Sequence, residues 1–431
     1  MTLSWLSIVR LGLVQMCIGS VVVLTTSTLN RLMVVEFALP AVLPGLLVAL
    51  HYGIQITRPN WGFRSDAGGS RTRWIIGGMG ALALGAYGAT MGVVLFEVSY
   101  ALALGVSILS YALIGLGVGA AGTSLLALLA TATAPHRRAA AATITWLMMI
   151  AGIAITAATV GFFLEPYSHS LLLRIVAVVT LGAFGLTMLA IWGVERGVKT
   201  ALPQRDSTPF MEGMRQIWAE RATRHFTIFV FLSMTAYFMQ ELILEPYAGL
   251  VFGFTPGQST SLSGAQNGGV FLGMLLVGVA ATGLRIGSLR HWVVLGCLGS
   301  AASLVLISML GAVAVPTGLV PAVILLGFFN GMFAVAAIGS MMALANKGRG
   351  AREGTRMGLW GAAQAIAAGF GGLVGAAAVD VMRRVMAEDG PAFGAVFLAE
   401  ATLFVIAALL ALKVIETRRP VREDAAIVPG E

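Results

Sequence analysis

What this sequence has least of is charge. Only 11% of its 431 residues are Asp, Glu, Lys or Arg, against about 25% in a soluble domain. A chain this long with so few charges cannot wet its own surface, which excludes a water-soluble globule. Cysteine is nearly absent too. Cys17 and Cys297 lie inside apolar runs and form no CxxC pair, which excludes a disulfide framework or a zinc knuckle. There is no GxxxxGK[ST] loop, no GxSxG elbow, no HExxH and no dinucleotide fingerprint. The paired aspartate-rich motifs that hold magnesium diphosphate in membrane prenyltransferases are also missing. The sequence therefore offers no catalytic residue and no certain metal ligand, and the expectation is a protein that is not an enzyme.

What is present is apolar length. Hydrophobic residues make up 58% of the chain, in runs of about twenty, the length a helix needs to cross a bilayer. In hydrocarbon the backbone must satisfy its own hydrogen bonds, so the spans are helices or a closed barrel. The alternating short strands of a barrel are absent. The 54 glycines suit close packing of membrane helices. The reading is an all-α membrane protein with twelve transmembrane helices, at 9–29, 38–57, 74–95, 99–132, 140–163, 171–194, 225–246, 262–283, 292–313, 318–344, 356–379 and 394–415. No small-residue cleavage site follows the first run, so it is read as a retained span rather than a signal peptide.

Charge sets the orientation. Of the 27 lysines and arginines, only Arg31, Arg174, Arg383 and Arg384 fall on one side of these spans. The rest crowd the other, which the positive-inside rule makes cytoplasmic, with both termini there. The net charge of +8 is thus topological, and no nucleic-acid partner is expected. The longest polar break, 195–224, divides the chain into a six-helix bundle at 1–194 and a second at 225–431 with a short tail. This is the 6+6 plan of major facilitator transporters. Within the break Phe210, Met214, Ile217 and Trp218 share a helical face, which predicts an amphipathic helix on the membrane surface.

The loop after span 2 carries Gly62, Asp66, Gly69 and Arg71. It resembles the major facilitator loop motif, with Ser70 in place of one basic residue. Glycines allow a tight turn. The Asp can accept hydrogen bonds at a helix N-terminus, and the arginines can pair with it to latch helix ends together. The matching loop of the second half, 283–290, keeps glycines and arginines but lacks the Asp.

The longer string Arg58-Pro59-Asn60-Trp61-Gly62-Phe63-Arg64-Ser65-Asp66 is similar to a signature of the PucC family, major-facilitator-like proteins of photosynthetic bacteria. Gln240-Glu241-Leu242-Ile243-Leu244-Glu245-Pro246-Tyr247-Ala248-Gly249 resembles a second family string, and Asn30-Arg31 with Glu36 a third. Glu241 and Ala248 depart from the family pattern. The short length resembles a branch named as a chain of bacteriochlorophyll synthase. The resemblance implies handling of bacteriochlorophyll and its delivery to light-harvesting antenna polypeptides in the inner (intracytoplasmic) membrane. It also implies contact with pigment-synthesis enzymes, and no further cofactor.

The residues themselves leave alternatives open. Glu36 and Glu245 fall at equivalent outer ends of spans 1 and 7, and Glu165 ends span 5. Such acids can ligate magnesium, meet partner helices or cap helices in the headgroup layer. Pro246 should break the helix after Glu245 and expose carbonyls. His51 is the one histidine well inside a span. It suits a pigment's metal or a helix–helix hydrogen bond. Asn30, Arg31, Glu36, His51, Glu241, Glu245, Pro246 and Tyr247 form the candidate pigment or partner site. For proton-coupled transport, Glu241 is the one acid read as a relay, and span 4 carries no charge. A secondary transporter of a small or amphipathic solute is the alternative reading, and a subunit of pigment synthesis the third.

Overall fold

Polar residues within an apolar run do not by themselves end a helix. In the computed structural model, which describes residues 3–57, 70–134, 137–195, 215, 218–284, 286–313, 315–345 and 353–415, the first helix does not stop at its first polar run. Helix α1 spans Trp5–Glu36, well past the expected end at 29. The run Thr25-Thr26-Ser27-Thr28 lies within it as a π-helical turn, Leu24–Thr28, and a second such turn covers Leu32–Glu36. Arg31 is therefore inside the span and buried, not in an outer loop.

The remaining spans follow as α2 (Val42–Thr57), α3 (Arg71–Leu95), α4 (Tyr100–Ala132), α5 (Arg138–Phe163) and α6 (His169–Ile191). Then come α7 (Arg221–Phe252), α8 (Pro256–Val277, running on into a π turn at Gly278–Gly283), α9 (Leu289–Val313), α10 (Leu319–Ala345), α11 (Glu353–Val385) and α12 (Asp389–Val414). Among the described residues eleven are long and apolar enough to cross a membrane, and α2 is a shorter apolar helix. The protein is a multi-pass membrane protein, and the bilayer is its solvent. Local sequence sets the starts. Ser4, Ser99 and Ser168 each accept a backbone N–H three residues on. Thr255 and Gln258 form a reciprocal capping box at α8, which satisfies donors that the helix leaves orphaned.

Buried apolar side chains gather in two large clusters, one drawn from Leu3 to Val194 together with Leu242 of α7 and the other from Phe226 to Ile415. Two small clusters, Val34 with Ala41 and Ala376, and Ile150 with Val270 and Met274, bridge the bundles. The bundles meet where α5 packs on α8 and α2 on α11. The first contact is backbone to backbone. A Cβ at Gly161 would lie 2.5 Å from the Ser261 nitrogen and 2.6 Å from the Gly257 carbonyl oxygen.

The expected latch residues Arg58, Pro59, Gly62, Arg64, Asp66 and Gly69 lie outside the described residues, as do Phe210, Met214 and Ile217 of the expected surface helix. At the edge of that loop a different carboxylate caps α3. Glu195, just beyond α6, accepts from the Arg71 N–H at 2.9 Å, the Thr72 N–H at 3.2 Å, the Thr72 hydroxyl at 2.7 Å and the Ser70 hydroxyl at 2.9 Å. Arg71 itself is buried and donates to the Ala127 carbonyl of α4 at 2.9 Å. In the second bundle, α9 is capped by its own Ser288, which takes the His291 N–H at 3.3 Å.

Burial alone would raise the Glu195 pKa. The hydrogen bonds from Thr72, Ser70 and the Arg71 backbone outweigh it and hold the carboxyl below its ordinary value. A depressed folded-state value stabilises above the unfolded pKa and is lost as pH falls through the folded one. Glu195→Ala is therefore expected to cost roughly 1 kcal/mol at neutral pH, the scale of a lost N-cap. Thermal unfolding followed from neutral to acid pH should show the gap to the parent protein closing below the usual carboxylate range. A gap that does not change with pH would refute the electrostatic part.

Candidate functional site

Proline inside a helix leaves the carbonyl four residues back without its N–H donor. Pro246 sits inside α7, so the carbonyl it frees is that of Leu242. The helix does not break there, contrary to the expectation from sequence. The Asn30 amide of α1 donates to that carbonyl at 2.7 Å. An intramembrane backbone group is thus satisfied from the other bundle.

Around this contact α1 turns its polar run toward α7 and α8. The Ser27 hydroxyl donates to Glu245, and the Thr28 and Thr260 hydroxyls lie 3.1 Å apart. Thr26 faces Glu241, and Ser263 lies beside Glu245. The π turn frees the Thr25 carbonyl, which takes the Tyr111 hydroxyl of α4 at 2.8 Å. One turn on, Arg31 donates to Glu36 at 2.5 Å and to the Phe254 carbonyl, just beyond the end of α7, at 2.7 Å. Asn30, Arg31 and Glu245 are each no more than 2% exposed. Irregular π turns are enriched at functional sites, and ionisable groups at this depth are functional candidates by default.

Two more ties join the bundles on the face opposite the chain's ends. Asp380 of α11 accepts from the Ala41 and Val42 N–H groups at the start of α2, at 3.0 and 2.8 Å. The Thr255 hydroxyl, which opens α8, donates to Glu165 just beyond α5. Both carboxylates sit at helix N-termini, where the dipole favours an anion.

The other expected site residues are dispersed. Glu36 and Glu245 are not equivalent: Glu36 has a side chain 40% exposed and paired with Arg31, whereas Glu245 is enclosed deeper between α1, α7 and α8. The longer α1 and α7 cause this, because they carry the two acids to different depths. Tyr247 turns away from Glu245 into the second core, where it donates to the Ile307 carbonyl at 2.6 Å and packs on Phe397. His51 lies between α2 and α4, with its Nε2 2.9 Å from Gln55 and its ring against Tyr52. Sequence reasoning missed the structural part played by Thr25 to Thr28, Tyr111 and Asp380. It also missed Glu400, which is fully enclosed in α12 with both carboxyl oxygens lacking a partner among the described residues. Glu241 is thus not the one acid placed as a relay could be, since Glu245 and Glu400 are the buried ones among the described residues. An acid midway along an apolar run is a signal that would have found Glu400.

Among the described residues no three His, Cys, Asp or Glu side chains come together as a metal-holding group. The chemistry on offer is single oxygen ligands and a dense set of hydrogen-bonding groups between two bundles. The carboxylate best placed to meet a guest is Glu241. It is only partly buried, while Glu245 is enclosed.

The Asn30 contact yields a double-mutant prediction. Asn30→Ala strands a buried carbonyl and should cost about 1–3 kcal/mol. Pro246→Ala restores the missing N–H, so Asn30→Ala should cost clearly less in that background. Thermal or denaturant unfolding of the four variants in detergent measures the cycle. Strict additivity would show that Asn30 does not serve that carbonyl.

Comparison with known proteins agrees with this architecture. The family described as "PUCC protein" matches residues 28–419. "Bacteriochlorophyll synthase 44.5 kDa chain" of Rhodobacter capsulatus is 66% identical over 431 residues, covering 100% of both chains. "Protein PucC" of Cereibacter sphaeroides is 30% identical over 432 residues, with 94% of this chain and 92% of that one covered. A solved peptide transporter POT in complex with sulfate is similar with a TM-score of 0.71 and 14% sequence identity, covering 95% of this chain and 94% of that one. That likeness speaks for the fold alone, a major facilitator fold. Together these findings show that the chain belongs to the PucC family.

Proposed function

We propose that this protein is a light-harvesting assembly factor that handles bacteriochlorophyll and delivers it to antenna polypeptides. Its setting is the bacterial inner (intracytoplasmic) membrane, with both termini cytoplasmic as the basic loops favour. The observation that carries the reading is the meeting of two family strings across the bundles. Asn30-Arg31 bonds to the Leu242 and Phe254 carbonyls, so the segments that mark the family also build the inter-bundle site. The names of the relatives supply the pigment.

The residues present fit such a guest in their chemistry. Bacteriochlorophyll would bring a magnesium ion, and a hard oxygen donor suits magnesium. Glu241, partly buried beside Thr26, is the residue we assign to that role. His51 is assigned to packing, since its ring is engaged with Gln55. The glycine- and alanine-rich faces of the spans suit lateral contact with single-span partners.

One observation favours a second reading, solute transport by movement of the two bundles. The inter-bundle ties through Arg31, Glu165 and Asp380 gather on one face, as a gate requires. Participation in pigment synthesis rests on a relative's name and has no residue to support it.

Purification in mild detergent from a pigment-making host separates these readings. The assembly reading expects a bound bacteriochlorophyll absorption band, weakened at least about tenfold by Glu241→Ala, the loss typical of disturbing a metal site, and co-purifying antenna polypeptides. Pigment-free protein that drives solute flux in proteoliposomes would replace it with the second reading.

A further inference from the structure

Glu245 presents an unfinished account of charge and hydrogen bonding. It is 2% exposed, and its Oε2 has no hydrogen-bond partner among the described residues. Its neighbouring cation, Arg31, gives its two terminal nitrogens to Glu36 and to the Phe254 carbonyl, and only its Nε is left without a partner among the described residues. Arg31 and Glu36 cancel, which leaves Glu245 in surplus, with Glu241 one turn away on the same helix. A buried carboxylate without a compensating charge is strongly destabilising.

Beside Ser27 and Ser263, which face Glu245 with hydroxyls, the neighbouring polar atoms are mostly oxygens. Asn30 is 1% exposed, and its Oδ1 also has no partner. The Leu242 carbonyl must receive an N–H, so it fixes which end of the amide is oxygen. Ser27, Thr28 and Thr260 add hydroxyl oxygens, each buried. Two acceptors here, Glu245 Oε2 and Asn30 Oδ1, are unpartnered against one donor, the Arg31 Nε. This excess calls for a ligand that is positive and takes only oxygen. Hard cations take oxygen ligands, and a single enclosed carboxylate matches a single positive charge. In membrane proteins such ions sit where helices depart from regular winding, and Ser27 and Thr28 lie in the π turn of α1.

We propose that Glu245, Asn30, Ser27, Thr28 and Thr260 form a binding site for one monovalent alkali cation of the sodium class, between α1, α7 and α8. The site is separate from Glu241 and does not rest on the pigment reading. Binding ties both bundles to one ion, so the ion stabilises the arrangement in which α1 and α7 are joined.

The test uses full-length protein made in a host without bacteriochlorophyll, so that its outcome is independent of pigment. The melting temperature in detergent is titrated with sodium chloride, with choline chloride holding ionic strength constant. A ligand that binds only the folded state raises stability saturably, so a saturable rise with sodium is expected. Radioactive sodium should bind at one ion per chain. Glu245→Gln should abolish the rise. Thr260→Val, which keeps shape and removes one hydroxyl, should weaken apparent sodium affinity at least about tenfold, and it serves if Glu245→Gln does not fold. Equal rises with choline and sodium would overturn the proposal. So would unchanged affinity in both variants, or stability that follows pH but not sodium, which would assign the neutralising charge to a proton.

Discussion

In a bilayer no water is present to meet a stranded backbone carbonyl, and the contact between Asn30 and Leu242 answers that constraint. Pro246 removes an N–H from the middle of α7 and opens a carbonyl in hydrocarbon. A helix could bend or break at that point. Here the second bundle's loss is met by a side chain of the first bundle, 2.7 Å away. The freed carbonyl thereby becomes a joint between two bundles, and the side chain of the same residue, Leu242, packs into the first bundle's core. The polar residues that follow, Ser27 against Glu245, Thr28 against Thr260 and Arg31 against Phe254, are affordable at that depth because the same joint keeps them out of lipid.

The carboxylates show a second use of the same principle. Glu195, Asp380 and Glu165 each sit where a helix begins. Glu195 serves α3 from within its own bundle. Asp380 and Glu165 serve α2 and α8 from the opposite bundle. A helix N-terminus needs acceptors for its first N–H groups; Asp380 supplies them to α2 from the other bundle, while Glu165 holds the Thr255 hydroxyl that caps α8, and each turns a local need into a tie between bundles. Glycine contacts between α5 and α8 bring the two backbones together beside one of these ties. The joined face is the one away from the chain's ends.

Much of the fold was legible in the sequence because lipid imposes a length. Runs of about twenty apolar residues give spans. Helix ends were read less well for a physical reason. Hydrophobicity falls at Thr25 to Arg31 and at Glu241 to Glu245, yet both segments remain helical because each finds partners across the bundles. Glu36 and Glu245 seemed alike from their spacing to the ends of spans that proved too short. Asp380 and Glu195 were illegible, since their partners are backbone N–H groups distant in sequence. His51 and Tyr247 carried family-like positions but pack into separate regions, which no linear pattern reveals. The family strings pointed to the right helices and left the contact between them to be found in three dimensions.

Contacts from Asn30 and Arg31 hold the two bundles together on the face opposite the chain's ends. Spin labels at Val98→Cys and Val315→Cys, on exposed sites of that face in the two bundles, report their separation directly once Cys17 and Cys297 are replaced by alanine. The account predicts one narrow distance distribution, which broadens toward longer distances when Asn30→Ala and Arg31→Met are combined. A distribution that stays unchanged in that double variant would contradict it.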